Sequence, residues 1–136
     1  MSVRAYGVHS MQRTFLYAVL AAIALPANAH HSGAAFDRTR SVSVNGTVAA
    51  VEWTSPHARL LVKVKEEGGQ EVTWDFELPS PVTLTRRGWS RTAINVGDTV
   101  AVTGAPAREF PRIAIATGVT DAKGKRLFSG SASSTD

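Results

Sequence analysis

The chain contains no cysteine among its 136 residues. That excludes disulfides, thiolate metal sites and thiol nucleophiles, so a hydrophobic core of ordinary size has to hold the fold together. Catalytic signatures are also missing. There is no Gly-x-Ser-x-Gly elbow, no phosphate-cradling glycine loop and no His-Glu-x-x-His pair, and no enzymatic activity is expected. Long apolar runs are scarce. The sustained stretch Phe15–Leu25 is 11 residues, far short of the roughly 20 that span a bilayer. Acidic residues are absent from the first 36 positions, while Arg4 and Arg13 both precede the apolar stretch.

That absence defines a leader. A basic start, a short apolar run and small residues at Ala27 and Ala29 are what signal peptidase reads, so cleavage after Ala29 is expected. The exported chain then begins at His30 and is periplasmic, with no stable membrane span. It keeps 13 Lys and Arg against 11 Asp and Glu, a net charge of +2. The basic character of the whole chain therefore belongs partly to the leader, and a nucleic-acid partner is not expected. Residues 30–128 form one domain of ordinary length, and the Ser/Gly/Ala/Thr stretch 129–136 is expected to be a disordered tail.

The mature region reads as short strands between turn signals. Ser41–Trp53 is valine-rich and broken by Gly46, which marks a bulge or sharp bend. Thr54–Ala58 interrupts as a loop. Arg59–Glu66 and Gln70–Leu78 alternate cleanly about the turn Glu67-Gly68-Gly69. Making their apolar faces coincide pairs Val64 with Val72, Val62 with Trp74 and Leu60 with Phe76. The same register sets Lys65 opposite Glu71 and Arg59 opposite Glu77, which neutralises an apparent basic stripe. Asp75 and Glu77, with Arg59 and Thr73 beside them, then read as ion-paired structural acids rather than a catalytic pair.

Ser80–Gly88 carries helix punctuation: Ser80 as cap, Pro81 at the first position, Arg86 and Arg87 in the last turn, Gly88 to close. Trp89 is expected to pack back beneath it. Thr99–Thr103 follows with Val100 and Val102 inward, then an irregular connection to Pro111. Arg112–Thr120 places Ile113 and Ile115 on one side, and a turn at Asp121–Gly124 leads to a last short strand at Lys125–Phe128. A helix between strands three and four is the order of a small, mainly β, five-stranded OB-like Greek-key barrel, with a bent first strand shared by both sheets. A small β-sandwich is the alternative.

His30-His31-Ser32, Phe36-Asp37, Gly46-Thr47-Val48, the run Val51-Glu52-Trp53-Thr54-Ser55-Pro56-His57-Ala58, Trp74–Leu78 and Arg86-Arg87-Gly88-Trp89 together resemble a family of small exported Gram-negative bacterial proteins of unassigned function. The resemblance covers about 30–130. In that family the position of Ser55 is more often Asn, and that of Arg59 is often aromatic or apolar, departures that touch the loop surface more than the fold. More loosely, the chain is similar to bacterial periplasmic OB-fold domains, which implies the barrel. The family brings no activity with it.

Candidate sites therefore rest on the residues. A mature N-terminal His30 offers its α-amine and ring nitrogen to one ion, and a nitrogen from His57, with His31 near by in sequence, completes a set suited to Cu(II). The amine, with a pKa near 8, has to lose a proton first. The competing reading is a solvated His-His pair and a His57 that serves only its own loop. Trp53, Trp74 and Trp89 with Phe76 are candidates for a stacking platform for bases or sugars; the alternation turns Trp74 and Phe76 inward and leaves Trp53 the more exposed. Arg86 and Arg87, with Arg91, form a basic cluster that either complements the helix end or recognises an acidic partner. The expectation is a non-enzymatic binding module holding copper or another divalent ion. The alternative is a scaffold contacting an envelope protein or small ligand through Trp53, His57 and the Arg86/Arg87 end.

Overall fold

The computed structural model describes residues 35–130. The expected leader, His30, His31 and the tail beyond Gly130 lie outside the described residues. The elements are β1 (Val42–Glu52), β2 (Arg59–Lys65), β3 (Glu71–Glu77), α1 (Pro81–Arg86), β4 (Thr99–Pro106), β5 (Ile113–Asp121) and β6 (Arg126–Ser129). Strands run in the order β3-β2-β1-β4-β5-β6, and a parallel pairing of β3 with β5 closes the first five into a barrel. This is the OB-like order, with α1 between β3 and β4 as expected. β6 adds a sixth strand along the second half of β5, at Gly118–Thr120.

β1 belongs to both halves of the barrel. Its first half pairs with β4, from Val42 opposite Gly104 to Thr47 opposite Thr99. Its second half pairs with β2, from Thr47 opposite Lys63 to Glu52 opposite Arg59. Gly46 sits just before the changeover but is not the bulge; the register slips between Val48 and Ala50. Gly46 instead lets β2 cross closely, since a Cβ there would lie 2.2 Å from the Lys63 carbonyl oxygen. A side chain at this position would overlap backbone, which is a different demand on glycine from a bend.

The β2–β3 register is the one that the alternation predicts, Val64–Val72, Val62–Trp74 and Leu60–Phe76 included. The β2–β3 ion pairs, however, run diagonally. Lys63 meets Glu71 at 3.2 Å, and Arg59 grips Asp75 while also lying 3.7 Å from Glu52. Strand twist brings diagonal neighbours on one face within reach of long side chains, and this leaves Glu77 for another partner.

Inside the barrel, Val48, Leu60, Val62, Phe76, Val102 and Val119 are fully or almost fully buried, with Leu84 of α1 and Trp89 joining them. Ser80 Oγ caps α1 by accepting from the Thr83 amide, and Gly88 closes it at φ 84°. Trp89 packs back as expected, its amide donating to the Leu84 carbonyl at 3.0 Å. On β5 the alanines face in: Ala114 and Ala116 belong to the core, while Ile115 faces out. Its outer patch, with Ala105 and the adjoining Ile113, is covered by Phe36, itself 4% exposed. Phe36 bridges Ala107 in antiparallel fashion ahead of β1, so a short N-terminal segment is strapped to the outside of the barrel.

Candidate functional site

The loop Trp53–Ala58 lies between β1 and β2, and its end is tied to the β3–α1 connection. The Ala58 amide donates to Pro79 O at 3.2 Å, and the Leu78 amide donates to Ala58 O at 2.8 Å. Ala58 and Leu78 are both fully buried, which anchors the neighbouring His57 on core rather than on a free loop. Thr54 Oγ1 donates to the His57 carbonyl at 3.4 Å.

His57 keeps a side-chain exposure of 38%. Its Nδ1 is 3.3 Å from the Leu78 carbonyl oxygen and 3.5 Å from Glu77 Oε1. A carbonyl only accepts, so this contact requires the proton on Nδ1. In the neutral ring Nε2 is then the nitrogen with the lone pair. A histidine that donates one ring N–H to a carbonyl or carboxylate and presents the other nitrogen is oriented as metal-binding histidines commonly are. The same arrangement also serves a structural histidine. Among the described residues no group of three or more His, Asp or Glu side chains is placed to hold a metal ion. The described barrel thus supplies one nitrogen of the expected set, and His30 and His31 fall outside it.

Trp53 is partly buried, with its ring meeting Trp89 edge-on at 6.4 Å, while Trp89 stacks on Phe128 at 6.0 Å. The indole expected to be exposed is therefore partly in use as packing. Arg86 and Arg87 are exposed at the end of α1, and the Arg87 amide donates to Thr83 and Leu84 carbonyls at 3.1 Å each. Arg87 also borders a hollow of about 400 Å³ with Trp89, Arg126 and Phe128. The structure does not bring Arg86 and Arg87 together with His57 in one pocket.

Trp74 is the residue whose surroundings the strand pattern obscures. It lies on the inward register, stacked on Phe76 at 5.7 Å, yet it stays partly exposed and lines a cleft of about 540 Å³. The β4–β5 connection also lines that cleft, and its Phe110 is 59% exposed. Two prolines framing an aromatic, Pro106 and Pro111 around Phe110, were the available signal.

Residues 18–116 match the model of a family of unknown function (DUF6152). The chain belongs to that family. The matched span takes in the expected cleavage site, the His57 loop, α1 and the β4–β5 connection, and it ends within β5. No curated protein and no solved structure matches the chain. Membership fixes the family and leaves its chemistry open.

Proposed function

We propose that the protein is an exported, periplasmic, non-enzymatic binding module that holds Cu(II) or a similar divalent ion through His57 and the histidines at the start of the processed chain. The observation that carries this reading is the fixed tautomer of His57. Nδ1–H is committed to the Leu78 carbonyl beside the Glu77 carboxylate, so Nε2 is free and its ring is already oriented. Pre-orientation lowers the entropy lost on coordination. His30 would add its α-amine and ring nitrogen, His31 a further imidazole, and an all-nitrogen set suits Cu(II) better than Mg(II) or Ca(II).

The α-amine, with a pKa near 8, must lose its proton to bind, so affinity rises with pH towards that value. The test is a Cu(II) titration of the protein isolated from the periplasm, beside its His57→Ala variant. Loss of a ligand is expected to weaken binding by at least the roughly 10–100-fold that losing an outer-shell partner costs, with the barrel still folded by circular dichroism. Equal affinity in the two proteins would remove His57 from the site and defeat the reading.

A further inference from the structure

The β4–β5 connection, Ala107–Arg112, is pinned at both ends and open at its tip. The Ala107 amide donates to Ile113 O at 2.8 Å, the Arg108 amide to Ala35 O at 2.9 Å, and the Asp75 amide to Arg112 O at 2.9 Å. Arg112 adopts φ 59°, the left-handed region that a residue with a Cβ enters rarely. Its guanidinium reaches across to the β2–β3 turn and donates to both carboxylate oxygens of Glu66, each at 3.2 Å. Strain held by a two-pronged clamp of this kind concentrates where a binding surface is being shaped.

The clamp joins the β2–β3 turn to the β4–β5 connection beside a cleft that both residues line. β3 pairs with β5 only from Asp75 onward, so Trp74 has no β5 residue opposite it. The gap is the 540 Å³ cleft, within the range of small-molecule sites, about 300–1,000 Å³. Trp74 and the exposed Phe110 both line it. Its rim carries both charges, Arg40, Arg108 and Arg112 with Glu66 and Glu109.

Those features select among ligands. Two aromatic rings bordering one cleft favour a ring-shaped ligand with an apolar face. A rim that mixes guanidinium donors with carboxylate acceptors matches hydroxyl groups, which both give and take hydrogen bonds. With Glu66 already satisfied by Arg112, a phosphate-bearing chain would still meet the Glu109 carboxylate as a like charge, and a purely apolar ligand would desolvate Arg40 and Glu109 without hydrogen-bonding them.

We propose that this end of the barrel is a carbohydrate site, which takes a neutral sugar ring against Trp74 and Phe110 while Arg40 and Glu109 hydrogen-bond its hydroxyls. It is separate from the His57 site and does not depend on copper. The experiment titrates periplasm-isolated protein with chitotetraose and cellotetraose, read by calorimetry and by tryptophan fluorescence, after a screen on a printed array of neutral oligosaccharides. A deoxythymidine decamer and an aliphatic peptide serve as competitors. Saturable binding of a neutral oligosaccharide is expected, weakened about tenfold by Phe110→Ala with no change in thermal midpoint, because that ring is exposed. Absence of saturable binding across the array up to millimolar sugar, Phe110→Ala binding like the parent, or tighter occupation of the same site by the decamer or peptide would each overturn the proposal.

Discussion

At residue scale, the two positions that matter most carry their meaning in what surrounds them. A glycine within a valine-rich strand is visible in the sequence as unusual, and Gly46 is unusual. The reason was out of sight, because the crossing of β2 depends on barrel closure, and a periodicity cannot report which backbone passes within 2.2 Å of an absent Cβ. Gly46→Ala is therefore expected to destabilise the barrel by about 1–3 kcal/mol, the usual cost of forcing atoms into filled space, as a lowered urea midpoint with the slope unchanged. His57 was legible as a candidate ligand by residue type and by its place in a loop. Its tautomer was not, because that rests on the Leu78 carbonyl, 21 residues away. Trp74 shows the opposite failure: alternation turned it correctly to the inner face, but inward near a barrel's open end is not the same as buried.

At the scale of elements, the β2–β3 hairpin and α1 were the most readable parts, since alternation and helix caps are local signals. Long-range pairings were less so. Ile113 and Ile115 look like core residues until the strap around Phe36 is seen to cover them from outside. Phe36→Ala is expected to cost about 3 kcal/mol, the lower part of the range for truncating a buried phenylalanine, and to raise proteolysis ahead of β1. The strap and the clamp also give the fold an acid sensitivity. Asp37 is held below its ordinary pKa chiefly by the Thr39 hydroxyl and amide, with smaller help from Arg108 and Arg40. Glu66 is held down by Arg112. A carboxyl whose folded pKa is depressed adds stability above its unfolded value, about 4, and that contribution is lost as pH falls through the lower folded value. Thermal midpoints should hold steady from pH 7 to about 5 and decline below about 4, with Glu66→Gln flattening part of that decline.

At the scale of the whole molecule, a chain without cysteine builds one closed barrel around a fully apolar core. Among the described residues no buried side-chain nitrogen or oxygen lacks a hydrogen-bond partner. The order of strands was legible because a helix between the third and fourth leaves few small topologies. The sixth strand was legible as a strand but not as an addition outside the closed five. The two proposals fall at different places, the His57 loop and the cleft beside Trp74, and only the first follows from residue type and position alone. The copper reading ties that loop to the processing of the chain, because only a chain starting at His30 frees the amine that the ion would use. The decisive measurement compares Cu(II) affinity, at one pH, between protein whose first residue is His30 and protein carrying a single alanine ahead of it. The copper reading predicts that the added residue, by turning the free amine into an amide, weakens binding by at least the roughly 10–100-fold that losing an outer-shell partner costs; equal affinities would contradict it.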